Sequence, residues 1–366
     1  MFNNVYRNKR VLVSGNTGFK GSWLTVWLTQ LGATVYGLSK GVPTQPAMYE
    51  ILKLADHISH FEQDVRDLES VRKIFQEVKP DFVFHLAAQP LVSVSYADPI
   101  ETISTNVVGT AHVLDALRSL DHRCVAIIIT SDKCYANVEW AWGYRETDTL
   151  GGKDIYSGSK GAAELIVNSF YHSFFKGSAS AVRAVSARAG NVIGGGDWAR
   201  DRILPDCVRA WSKHEMVEIR NPDSTRPWQH VLEPLSGYLT LGQLLSSDDG
   251  LNGESFNFGP LPQQNCTVQE LIVDLSRYWN FQNASEVYRI AEGAMFNEAG
   301  LLKLDCDKAR YHLNWLPTLS YADLIEFTGS WYASYYRAEA DMMALTVSQI
   351  DRYQQIATEN CIKWTM

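Results

Sequence analysis

The sequence predicts an α/β fold, a parallel, doubly wound sheet followed by a smaller, mixed C-terminal lobe. Three observations predict it. Strand-like apolar runs alternate with stretches of helical periodicity through the first half of the chain. The first such run, Arg10-Val11-Leu12-Val13-Ser14-Gly15, leads straight into glycines. Arg123–Ser131 (RCVAIIITS) is apolar without alternation, as a strand covered on both faces is.

After the first strand, Trp23, Leu24, Trp27, Leu28 and Leu31 recur at spacings of three and four, predicting a helix with one apolar stripe. Thr34–Leu38 reads as the second strand and Asp81–Ala88 (DFVFHLAA) as another. Asn106–Leu120 reads as a helix, Arg123–Ser131 as the buried strand, Ile155–Phe175 as a helix, and Ala179–Ala189 as a further strand. Such alternation is that of a Rossmann-type sheet. Beyond it the pattern loosens. Gly194-Gly195-Gly196 and Asn221–Trp228 read as loops, Gln269 to Tyr288 as short elements, and Asp323–Ala338 as a final amphipathic helix. The expected division is a dinucleotide-binding domain over 1–190, with return segments near 228–260, and a discontinuous second lobe over 191–227 and 261–366.

Composition narrows the classes. The 366 residues are 46% hydrophobic and 20% charged, the balance of a globular chain without membrane spans. A net charge of −8 excludes nucleic acid as a bulk electrostatic partner. The six cysteines form no C-x-x-C pair and no cluster at metal spacing, so neither a disulfide framework nor a metal site is expected. The N-terminal residues lack the apolar core of a signal peptide, and no run approaches the ~20 apolar residues of a membrane span. A cytoplasmic protein is expected.

Gly15-x-x-Gly18-x-x-Gly21 stands where a strand ends and a helix begins. Glycines there let backbone N–H groups approach a pyrophosphate at the positive end of the helix. An acid at the end of the second strand would bind the ribose of NAD, but Gly37-Leu38-Ser39-Lys40 has none. Ser39 and Lys40 leave a 2′-phosphate, and so NADP, open.

Tyr156 and Lys160 lie four apart on a helix and share one face. An ammonium beside a phenol favours the phenolate, so the pair can move a proton on a hydroxyl. Ser131 ends the preceding strand, at the edge where open α/β sheets hold ligands.

With the glycine loop, these residues resemble the extended short-chain dehydrogenase/reductase superfamily. Within it, Ser131-Asp132-Lys133, GFKGSW (18–23), GGGDWARDR (194–202) and RNPDSTRPWQHVLEP (220–234) are similar to the CDP-glucose branch of the sugar-nucleotide 4,6-dehydratases. The resemblance implies NAD as cofactor. It implies a cofactor cradle of Gly15, Thr17, Gly18, Phe19, Lys20, Gly21, Ser39, Asp64, Val65, Leu86, Ala87, Ala88 and Gln89, with Tyr156, Lys160 and Asn106 as a support. CDP-D-glucose would meet Asn191, Asp197, Trp198, Arg202, Arg220, Arg226 and His230. Guanidinium groups suit a diphosphate; Trp140 and Trp142 read as packing. In the implied reaction Ser131, Tyr156 and Lys160 oxidise C4, Lys133 takes the C5 proton as a neutral amine, and a protonated Asp132 donates to the departing C6 oxygen. A 4-epimerase would share all but Asp132-Lys133; a dTDP-, GDP- or UDP-linked substrate is the other alternative. A homodimer paired through helices of the Rossmann domain is also implied. Two positions depart from the pattern: Ser14 where Thr is usual, and Leu313-Asn314-Trp315 where L-G-W is.

Overall fold

Arg10–Ser14 (β1), Thr34–Ser39 (β2), Ser59–Glu62 (β3), Phe82–His85 (β4), Cys124–Ile129 (β5), Val182–Ala189 (β6) and Ser255–Phe258 (β7) form one parallel sheet. This is a computed structural model that describes all residues except 178–179, 262–263, 265, 280, 282, 284–285 and 292–300. The strand order is β7-β6-β5-β4-β1-β2-β3. The chain winds outward from β1 to β3 and then crosses back to β4. That reversal opens a crevice at the carboxyl ends of β1 and β4, where doubly wound sheets bind ligands.

The helices of the sheet are Phe19–Gln30 (α1), Leu68–Val78 (α2), Thr110–Arg118 (α3) and Ile155–Phe170 (α4). Ile203–Trp211 (α5), Leu232–Ser247 (α6), Val268–Ser276 (α7), Asp307–Leu313 (α8), Tyr321–Arg337 (α9) and Met342–Glu359 (α10) follow. Side chains alternate across the pleat and build two cores. Leu12, Val83, Ala126 and Ile128 pack with Ile74, Phe75, Leu117 and Val167, from α2, α3 and α4. Val11, Val13, Phe84 and Ile127 pack with Trp23, Trp27, Leu235 and Leu239, from α1 and α6. At about 1.5–3 kcal/mol per large apolar side chain, these two layers hold the crevice rigid.

Several elements differ from the sequence reading. The first helix is not amphipathic: Gly21 to Leu28 is buried all round, because α10 and the N-terminus cover its outer side. Phe2 stacks on Trp364 at 4.9 Å, and Trp27 meets Phe2, Tyr353 and Trp364 edge-on. The helix near Asn106 opens with a π-helical turn, Ser104–Gly109. Asp323–Ala338 is not the last helix, since α10 follows it. Ala179, where the sixth strand was expected to begin, lies outside the described residues, as do parts of 261–366. Asn314, in place of the usual glycine, sits at φ 51°, ψ 29° at the end of α8. Asparagine is one of the few residues that tolerates this left-handed conformation, so the departure keeps the turn.

Candidate active site

The crevice begins at the glycine loop. Gly15 has φ 76°, and a Cβ there would lie 2.7 Å from the Ala87 backbone nitrogen; one on Gly21 would lie 2.1 Å from the Gly15 carbonyl oxygen. Gly18 caps α1, whose first turn, Phe19, Lys20 and Gly21, aims its amides at the loop. Such a cradle fits a dinucleotide pyrophosphate. The Ser14 hydroxyl lies 2.6 Å from His85 Nδ1 and accepts from the Ala87 N–H at 3.3 Å. His85 Nε2 meets Thr110 Oγ1 at 3.1 Å. Burial, with Lys160 nearby, lowers His85 to about 3, so the ring is neutral and Leu86–Ala87 are held by uncharged bonds.

At the tip of β2 the Ser39 hydroxyl donates to Asn16 Oδ1 at 2.8 Å, and Thr17 Oγ1 donates to the Gly41 carbonyl. The nearby cations are already engaged. Lys40 bonds Glu101 at 2.5 Å; Arg66 bonds Asp64 at 2.6 Å and Glu101 at 2.8 Å. Asp64, expected in the cofactor cradle, thus spends its carboxylate on Arg66, which against partial burial holds it below its ordinary range. His112 meets the Val65 carbonyl at 3.0 Å. With two cations facing two carboxylates, the tip suits an unphosphorylated ribose better than a 2′-phosphate. Asn106 joins the Gln89 backbone, through both its N–H and its carbonyl, to Ser159 Oγ on α4. It ties the end of the β4 loop to the helix that carries Tyr156.

Asp154 caps α4 through the Ser157 N–H at 2.9 Å, and the helix brings Tyr156 and Lys160 to one buried face. Ser131 caps a short turn, Asp132–Cys134. Its hydroxyl donates to Asp132 Oδ1 at 2.8 Å, accepts from the Lys133 N–H at 3.2 Å, and faces the Tyr156 phenol. The surrounding side chains do not, on balance, lower that phenol. Burial pushes Tyr156 up to about 12, with Ser131 and Arg202 pulling it back and Asp132 adding to the rise. The burden falls on Lys160 instead, which burial brings down to about 8. Lys20 reaches the same centre: burial and the charges of Arg202 and Lys160 lower it to about 8 against Asp132 and Asp197. Sequence reasoning missed Gly190, at the end of β6. A Cβ there would lie 2.0 Å from Asp132 Oδ2, so only glycine leaves room for that carboxylate. A glycine directly after a buried strand was the available signal.

The other half of the cleft is the 194–202 loop. Arg202 donates to Asp197 Oδ2 at 2.8 Å, and its charge faces Tyr156. Tyr332 fixes the loop through both the N–H and the carbonyl of Asp197. Asn191, at φ 52°, accepts from the Gln229 N–H through its carbonyl. Arg226 lies in a short strand paired with Cys266–Thr267, and Arg220 is exposed just before it. Two expected contacts are placed elsewhere. Trp198 is packed among Trp331, Tyr332 and Tyr335, and His230 lies between Trp23 and Phe327, lowered to about 3 by burial. Both belong to the core, because their rings complete the seam between the loop, α1 and α9. Trp142, read as packing, is 69% exposed, and Trp140 rests on Tyr144. Among the described residues no cluster of His, Cys, Asp and Glu fits a metal ion, and no helix is long and apolar enough to cross a membrane.

The model of the family described as GDP-mannose 4,6 dehydratase matches residues 12–328. A CDP-glucose 4,6-dehydratase of Salmonella typhimurium is 44% identical over 97% of this chain and 99% of its own. Among solved structures, an epimerase from Methanothermobacter thermautotrophicus superposes with a TM-score of 0.77 at 23% identity, covering 93% of this chain and 97% of the other. A dTDP-glucose 4,6-dehydratase of Streptomyces venezuelae, with NAD bound, gives 0.75 at 20% identity over 91% and 99%.

Proposed function

The chain belongs to the GDP-mannose 4,6 dehydratase family, and on that premise we propose that it is a lyase converting CDP-D-glucose to CDP-4-keto-6-deoxy-D-glucose. One observation carries the reading beyond redox chemistry: Asp132 and Lys133 follow Ser131 directly, and the Asp132 carboxyl is bonded to the hydroxyl that meets Tyr156. A 4-epimerase has no use for an acid and a base beside that group. The 44% identity to a CDP-glucose 4,6-dehydratase favours CDP over other nucleotides. Bound NAD supplies reversible hydride storage between C4 and C6, so the net reaction is loss of water.

The chain's own residues supply the rest. Ser131 and Tyr156 hold the C4 oxygen and take its proton, with Arg202 favouring the phenolate and Lys160 one helical turn away on the same face. Once C4 is a ketone the C5 proton is acidic, and Lys133 removes it. Asp132 donates its proton to the C6 oxygen as water departs. Gly15, Gly18 and the first turn of α1 hold the pyrophosphate, and the paired charges around Ser39 favour NAD over NADP. Arg202, Arg220, Arg226 and Asn191 face the nucleotide diphosphate. The test is incubation with CDP-glucose and, separately, dTDP-glucose, following the alkali-induced absorbance of a 4-keto-6-deoxy product. Signal from CDP-glucose is expected. An epimerised sugar with no such absorbance refutes the reading, and a preference for dTDP-glucose corrects the nucleotide.

We further propose that the protein acts in the cytoplasm and as a homodimer. Exposed apolar side chains beside the sheet support the dimer: Ile100 is 71% exposed and Leu165 55% exposed. Leu165→Arg should halve the mass found by light scattering; a native mass of one chain overturns the pairing.

A further inference from the structure

Behind the Ser131–Lys133 turn lies a buried ion pair that the proposed steps do not use. Glu164 stands one turn beyond Lys160 on α4, and Arg188 stands on β6. Their side chains are 2% and 3% exposed and meet at 2.8 Å. A buried pair is weak support for stability, because desolvation offsets its attraction. What sets this one apart is where its remaining hydrogen bonds go.

Each partner grips one end of the catalytic turn. Thr130, directly before Ser131, donates its hydroxyl to Glu164 Oε1. Tyr135, directly after the turn, accepts from Arg188 Nη1 at 2.7 Å, and the guanidinium lies 5.0 Å from its ring. Both grips are anchored further. Ser186 donates to Glu164 Oε2 at 2.7 Å, and Tyr135 Oη donates to Asn257 Oδ1 at 2.8 Å. Asn257 in turn donates to the carbonyls of Tyr144 and Asp305. Tyr156, Lys160 and Glu164 are spaced four apart, so the helix that carries the proton-transfer pair also carries the grip.

We propose that Glu164 and Arg188 are a positioning pair. They hold the turn bearing Asp132 and Lys133 in register with Tyr156 and Lys160, so that the acid and base meet C6 and C5 of the sugar whose C4 the phenol addresses. The inference rests on the reaction proposed above. Neither residue reaches the substrate; they act through Thr130 and Tyr135. Loosening the turn should therefore cost turnover, not binding.

Thr130→Val and Tyr135→Phe each remove one grip and leave Glu164 and Arg188 paired, so both variants should fold. A misplacement of about 1 Å costs up to about 100-fold in rate. We expect kcat to fall at least about tenfold in each, KM to stay within about twofold, and solvent deuterium incorporation at C5 to slow in parallel with kcat. Amide exchange of residues 131–134, read without substrate, should quicken about tenfold in the variants. Native kcat in both variants, a loss confined to KM, or unchanged exchange across the turn overturns the pair's role. Turnover of CDP-glucose by the native protein is read in the same series. Its absence sinks the reaction, whereas the exchange comparison still decides the grip.

Discussion

Lys160→Met is expected to abolish activity and yet make the cofactor-free protein more stable. The amine is buried against the crevice wall, and burial brings it from its ordinary 10.5 to about 8. At about 1.4 kcal/mol per pH unit, that drop corresponds to about 3 kcal/mol of destabilisation by the charged form. Because the folded value lies below the unfolded one, the native state binds fewer protons between about pH 8 and 10.5. The cost is thus fully present below pH 8, neutral pH included, and fades as the pH approaches 10.5. Methionine keeps the stem and removes the charge, while Glu164 retains Arg188 as its partner. With an unfolding entropy of about 2.1 cal/mol/K per residue over 366 residues, 3 kcal/mol raises the melting temperature by roughly 4 °C. The assay is thermal melting of the cofactor-free protein, native and variant, at pH 7 and pH 10. A variant that melts lower than native at pH 7, or one whose gain is the same at both pH values, refutes the reasoning.

Asp132→Asn keeps the bond to Ser131 in shape but has no proton to give, so water loss should slow by about 10²–10⁴-fold while deuterium exchange at C5 persists; equal loss of both argues against the acid. Gly21→Ala puts a Cβ 2.1 Å from the Gly15 carbonyl; calorimetric titration should find NAD bound at least about tenfold more weakly, and native affinity contradicts the cradle. Ala338→Gly relieves a left-handed residue at the end of α9, φ 53°, and should stabilise by about 1 kcal/mol, seen in urea unfolding. A loss of stability there points to contacts of the Ala338 methyl group.

What was legible in the sequence followed from periodicity and adjacency. β1, β2, β4 and β5 announce themselves because each is apolar and short. β3 does not, because Ser59–Glu62 lies at the sheet edge with no buried residue. Helix α6 shows no stripe because Leu232 to Gly242 is buried throughout. The stripe of α10 is diluted by Thr346 and Gln349, which are buried as polar residues. An aromatic outside a periodic segment reads the same whether it faces solvent or core, so the sequence places Trp198 and His230 in the cleft, whereas both are buried beneath it.

Within the site the division is sharper. Adjacency alone brings the Ser131 hydroxyl to 2.8 Å from Asp132, and one helix turn brings Tyr156 beside Lys160, so this grouping of side chains could be read from two short strings. Their mutual orientation could not. It depends on the bare Cα of Gly190 leaving room for the Asp132 carboxylate and on Asn106 tying the β4 loop to α4. The turn is gripped besides by Glu164 and Arg188, 24 residues apart, from two elements. A 4-epimerase has no acid and base to aim from this turn. A dehydratase must aim acid, base and phenol at three adjacent carbons of one sugar, which is a demand for rigidity that a buried, doubly anchored turn meets.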